Sequence, residues 1–229
     1  MKNRIWVVGM AALAMLAAAG RPAVGAEGKL PPEAEKVVAK TASWNSYRAN
    51  FSLEAAEEDG KPFELQGAML FKKPNQRRLE IREPGSKEPA QLLASDGKIE
   101  WQYYPQEKVA YRINNPPEPP GPHRPFNEAN EETLQLIKKE GGLLYFEADP
   151  KQSAVETSPV PITKIRLEIS EADGILRQMT MLGEKGEPVL TQKFTDVQVN
   201  PSLPADQFRF TVPDGVTITD VPVPPKVKE

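Results

Sequence analysis

The chain has 229 residues, with 24 prolines, 15 glycines, one histidine, no cysteine and a formal net charge of −3. Without cysteine there is no disulfide framework, no thiolate nucleophile and no cysteine-ligated zinc or iron–sulfur centre, and one histidine cannot build a His-rich metal site. At 39% hydrophobic and 27% charged residues the composition is that of an ordinary soluble protein carrying extra proline.

At the start, Lys2 and Arg4 precede an uncharged run from Ile5 to Ala19, and Val24-Gly25-Ala26 offers small residues before Glu27. This pattern predicts a secretory signal cleaved near Ala26, over residues 1–26; a retained signal anchor is the alternative. The run falls short of the about 20 residues that a spanning helix needs. Removing three basic and no acidic side chains leaves 203 residues and moves the net charge from −3 to −6. That acidity weighs against nucleic acid or an anionic membrane surface as a partner. Residues 27–220 read as one domain and 221–229 as a frayed tail. No lipid-modifiable cysteine follows the leader, so the exported chain is expected to diffuse freely.

Pro31 and Pro32 suit a first helical turn, and Ala34, Val37, Val38, Thr41 and Trp44 recur at helical spacing, which predicts an amphipathic helix to Asn45. From Tyr47 the period becomes two. Phe51, Leu53 and Ala55 share one face of a strand, Asp59-Gly60 supplies a hairpin turn, and Phe63, Leu65, Gly67, Met69 and Phe71 share one face of the next. Short strands follow over 78–83, 90–95, 99–104 and 108–113, an antiparallel meander.

Residues 116–125 hold six prolines, too few N–H donors for a strand, and predict a stiff surface loop. After it, Asn130 is placed to cap a helix with Glu131 and Glu132 at its positive end, Leu134 and Ile137 as an apolar stripe, Lys138 and Lys139 at its negative end and Gly141 as its stop. The two-residue period returns over 143–148, 163–170, 175–182, 189–199 and 208–212. The expected fold is mainly β: a strongly curved antiparallel sheet forming an unclosed barrel with a small helical lid. Periodicity alone leaves open whether the apolar face packs solid or lines a cavity.

Four segments carry more specific information: Gly67-Ala68-Met69-Leu70-Phe71-Lys72-Lys73-Pro74-Asn75, Ser95-Asp96-Gly97-Lys98, Trp101-x-Tyr103-Tyr104-Pro105, and Phe208-Arg209-Phe210-Thr211-Val212-Pro213-Asp214-Gly215-Val216. In order and spacing they resemble the signature of the LolA family of periplasmic outer-membrane lipoprotein carriers. The resemblance implies a hydrophobic cavity that holds the acyl chains of lipoproteins in transit between membranes. It implies as partners the acylated lipoproteins, an inner-membrane exporter and an outer-membrane receptor, with a periplasmic location, a monomer and no cofactor. A sensing or regulatory module of the same fold, or a carrier of another lipophile, is the alternative.

The candidate cavity residues are Phe51, Leu53, Phe63, Leu65, Met69, Phe71, Leu79, Ile81, Ile99, Trp101 and Tyr103. Lys73, Leu134 and Ile137 are the candidate lid and latch residues. The family pattern has an arginine before Pro-Asn, which the resemblance makes a latch on lid carbonyls; Lys73 keeps the charge without the planar five-donor fork. Arg77 stands where the family often has an apolar residue. His123, beside Arg124, reads as a solvated loop residue, and the acidic run Glu57-Glu58-Asp59 as a solvated turn. No nucleophile elbow, HExxH or phosphate-cradling loop is present, and the chain is not expected to be an enzyme.

Overall fold

The computed structural model describes residues 30–56, 62–116, 125–158 and 160–222. The leader, the Asp59-Gly60 turn with its acidic run, most of the proline-rich loop with His123, and the last seven residues lie outside the described residues.

The first element is α1 (Pro32–Ala42), with proline in its first turn, Glu33 and Glu35 near its positive end and Lys40 near its negative end. Among the described residues twelve strands follow: β1 (Ser46–Ala56), β2 (Pro62–Lys72), β3 (Gln76–Arg82), β4 (Gln91–Ser95), β5 (Ile99–Tyr104), β6 (Val109–Asn114), β7 (Gln135–Glu140), β8 (Leu143–Ala148), β9 (Lys164–Ser170), β10 (Leu176–Leu182), β11 (Pro188–Val199) and β12 (Thr217–Val221). A short α2 (Gln152–Thr157) precedes β9. All strands belong to one sheet in the order β12-β6-β5-β4-β3-β2-β1-β11-β10-β9-β8-β7. The sheet is mainly antiparallel and unclosed, with β7 and β12 at its two edges.

Three local expectations are corrected. Asn130 does begin a turn, accepting from the Glu132 N–H and the Thr133 N–H, but the turn ends at Leu134 and residues 135–140 form β7. The physical reason lies downstream. Gly141 and Gly142 both have positive φ, 58° and 77°, the two-residue turn that folds a strand back on its neighbour. Pairing with β8 gives the segment ladder hydrogen bonds on either side of a bulge at Ile137, whereas a helix of under three turns with two large apolar side chains is marginal.

Second, residues 208–212 are not a strand. The 3₁₀ turn Ala205–Phe208 buries Phe208, and the chain then crosses a face of the sheet. Its carbonyls at Gln207 and Arg209 accept from Arg78, and the Phe210 ring packs 5.2 Å from Tyr103. Third, the last strand, β12, lies beyond that crossing and pairs with β6 in parallel, all its residues exposed.

Directly opposed residues of paired strands share a face, so the register fixes which side chains point inward. One inner row runs Phe71, Arg77, Ser95, Glu100; another runs Phe194, Phe51, Gly67, Ile81; a third runs Leu190, Ala55, Phe63. On the other half, Met179–Leu167–Phe146 and Met181–Ile165–Ala148 continue the same face. A single apolar cluster joins Phe51, Leu53, Leu65, Leu79, Ile81 and Leu93 to Phe146, Ile165, Leu167, Met179 and Leu190, with Ala34 and Val37 of α1 among them. The inner face is therefore largely apolar, with a polar end at Arg77, Ser95 and Glu100, and α1 packs on its main cluster beside Phe126 and Leu134.

Gly67 shows how tightly that face is made. Phe51 stands opposite it in the β1–β2 register, and a Cβ at position 67 would overlap both the Phe51 ring and the Glu80 carbonyl oxygen. Glycine is required there so that the ring can lie flat over the backbone.

Candidate functional site

The inner face brings together eight of the eleven candidate cavity residues. Phe51, Leu53, Leu65, Leu79 and Ile81 are buried in the main cluster, with Phe63 and Met69 packed half-buried at its border. Phe71 sits in an adjoining cluster with Trp44, Tyr47, Ala49 and Ile175, and Met69 touches both. The Trp44 and Tyr47 rings stack with centroids 5.7 Å apart. Burial holds the Tyr47 phenol well above the usual tyrosine range, so it stays neutral and adds no charge to this face.

Ile99, Trp101 and Tyr103 are on the other side. Trp101 opposes Ala94 and Arg112, Tyr103 opposes Leu92 and Ala110, and Leu79 opposes Leu93, the inward neighbour of Leu92. The aromatic rings of Trp101 and Tyr103 meet Phe210 and the Arg112 guanidinium lies over Trp101. These three residues are thus corrected from inner lining to outer face. Alternation along each strand is legible in the sequence, but which parity faces inward depends on cross-strand register.

The roof is built as follows. On α1 the buried positions are Ala34, Val37 and Thr41, a narrow stripe of small side chains, while Val38 is exposed. Polar contacts tie the helix at both ends. Glu33 forms an ion pair with Lys139 of β7 at 3.0 Å, which holds its carboxyl below the usual glutamate range through the direct hydrogen bond. Lys40 donates to the carbonyls of Glu171 and Ala172 in the β9–β10 turn, and Gly174 of that turn lies against Val37, Lys40 and Thr41. Lys73 donates to the Ala42 carbonyl at 2.8 Å.

Lys73 therefore reaches the end of the helix, a carbonyl at the negative end of the dipole. Leu134 is buried in the main cluster beneath the turn 131–133, whereas Ile137 is 57% exposed on β7 and touches no lid. Sequence reasoning missed Lys40 and the Glu33–Lys139 pair. Both join residues far apart in the chain, and neither carries a motif.

An unclosed β-barrel with a largely apolar inner face, covered by α1 and by the segment 126–134, defines the class of fold. A family model described as "Outer membrane lipoprotein carrier protein LolA" matches residues 42–211, and the chain belongs to the LolA family. Among curated relatives, an outer-membrane lipoprotein carrier protein of Nitrosomonas europaea is 29% identical over 186 residues, 76% of this chain and 82% of that protein. One of Serratia proteamaculans is 26% identical over 200 residues, 83% of this chain and 89% of the relative. The crystal structure of an uncharacterized conserved protein from Thermus thermophilus covers 82% of this chain and 99% of its own, with a TM-score of 0.57 at 14% identity, a likeness of fold. The strand β12 falls after the family match ends.

Proposed function

We propose that the chain is an exported, non-enzymatic carrier that holds the acyl chains of lipoproteins against the inner face of its sheet while they cross the periplasm from the inner to the outer membrane. Family membership supports the carrier role, and one structural observation carries it further: the largely apolar inner face is covered by α1 together with the segments that bring in Phe126, Leu134 and Ile162, and α1 contributes only Ala34, Val37 and Thr41 to the buried contact. Small side chains gain little from burial, at about 25 cal/mol per Å² of apolar surface. The Glu33–Lys139 pair lies at the surface, where solvent screens it, and adds little. A roof so held can lift, and lifting it bares apolar surface to an incoming chain.

The physical need is plain. Each methylene of an acyl chain left in water costs about 0.8 kcal/mol, so acylated cargo cannot cross an aqueous space uncovered. Phe51, Leu53, Phe63, Leu65, Met69, Phe71, Leu79 and Ile81 are proposed to receive the chains, with Lys73 as the latch. An exporter in the inner membrane and a receptor in the outer membrane are the proposed partners. The test is purification of the exported protein from its own envelope and mass spectrometry of what accompanies it. Diacylated or triacylated proteins are expected; a lipid-free protein that binds no acylated peptide would refute the reading.

A further inference from the structure

One end of the inner face is polar. Arg77 of β3 and Glu100 of β5 are 6% and 2% exposed, and both lie in the inner row that starts at Phe71. Arg77 donates from Nε at 2.6 Å and from Nη2 to the same oxygen, Glu100 Oε2. The other carboxylate oxygen, Oε1, accepts from Gln102 Nε2 at 2.9 Å. This occupies one edge of the guanidinium. The remaining nitrogen, Nη1, is buried and meets no hydrogen-bond acceptor among the described residues. An arginine offers five donors, and a buried donor left without an acceptor is among the costlier defects of a folded protein.

The strand neighbours of Arg77 indicate what completes that nitrogen. Leu79 and Ile81 follow Arg77 on the same inner side of β3, at steps of about 6.6 Å along the strand, and Phe71 and Met69 oppose Arg77 and Leu79 on β2. A fatty chain laid along this row has a polar donor at one end and apolar side chains along its length.

We infer that Arg77 Nη1 is the anchor for the carbonyl oxygen at which an acyl chain joins its cargo, with the chain running over Leu79 and Ile81. The inference rests on the carrier reading and names the part of the ligand it grips. Glu100 selects the chemical class. Because the guanidinium charge is already matched, an arriving phosphate or carboxylate would leave net negative charge in a dry site, whereas a neutral ester or amide carbonyl brings only a lone pair.

The test compares two probes on the purified chain: a synthetic diacylglyceryl lipopeptide, and its dialkyl ether counterpart of equal chain length, which lacks the two ester carbonyls. The protein is expected to prefer the ester by about tenfold, the scale of one buried hydrogen bond to a charged donor. Arg77→Leu combined with Glu100→Leu removes the pair without stranding either charge; it is expected to bind the ether as before and to lose the preference. Arg77→Lys, which keeps the charge opposite Glu100 without the Nη1 edge, is the second variant and must lose the preference too. Equal binding of ester and ether by the unmodified protein, or a preference that survives in a folded variant, overturns the inference alone. Failure of both probes to bind the unmodified protein overturns the carrier reading and the inference with it.

Discussion

Lys73 Nζ donates to the main-chain carbonyl of Ala42 at 2.8 Å, joining the turn after β2 to the last residue of α1. As the proposed latch, Lys73 would hold the helix by one ammonium bond to one carbonyl. Replacing Lys73 by Met removes that bond and leaves the apolar stem. Exposed bonds of this kind contribute about 0.5–1.5 kcal/mol, so global stability should fall by no more than that. Amide exchange in residues 35–42 should accelerate by up to about tenfold. Exchange rates in α1 unchanged from those of the unmodified protein would remove Lys73 from the latch.

The opposite end of the helix is set by pH. Hydrogen bonding to Lys139 lowers the Glu33 carboxyl from its reference value of 4.5, so the folded state favours the ionised form. Such a group contributes stability above the unfolded value, and the contribution is lost as pH falls through the lower folded value. The N-terminal turn of α1 should therefore loosen on acidification below about pH 4.5, seen as faster exchange or a shifted Glu33 carboxyl resonance. In Glu33→Gln this pH dependence should vanish. Its persistence there would assign it to another carboxylate.

Gly67→Ala tests the packing of the inner face. The added methyl has the Phe51 ring and the Glu80 carbonyl in its path, and overpacking of this kind costs about 1–3 kcal/mol. A fall in the melting temperature of several degrees is expected, with partial rescue by Phe51→Leu. A variant as stable as the parent would mean that Phe51 moves aside freely.

How much of this was legible in the sequence depends on the range over which each feature is determined. The first helix and nearly every strand from Tyr47 to Val199 follow from local periodicity and from turn residues such as Asp173-Gly174, where Gly174 takes φ 75°. Residues 131–140 carried true helix signals, a cap and charges of the right sign, yet hydrogen bonding to β8 across Gly141-Gly142 outweighed them. Trp101 and Tyr103 alternate as a strand should, but only register reveals that they face Phe210. Lys73 could be singled out beside Pro74-Asn75; its acceptor, 31 residues away, could not.

The strand at 135–140 has its own consequence. In a helix Leu134 and Ile137 would share a stripe and matter alike; in the observed fold Leu134 is 4% exposed and Ile137 57%. Leu134→Ala should cost about 2–5 kcal/mol, and Ile137→Ala should change stability by no more than about 0.5 kcal/mol. Denaturant titration of both variants distinguishes the two arrangements, and equal losses would favour the helix.

Cargo is proposed to enter only when α1 lifts from the inner face. The chain has no cysteine, so Glu33→Cys with Lys139→Cys introduces the only thiols, at a pair whose native side chains meet at 3.0 Å. Joining them with a short thiol-reactive crosslinker pins α1 to β7, and binding of a diacylated lipopeptide is then measured against the same variant left unjoined. The unjoined variant is expected to bind and the joined one not to. Equal binding by both would contradict it.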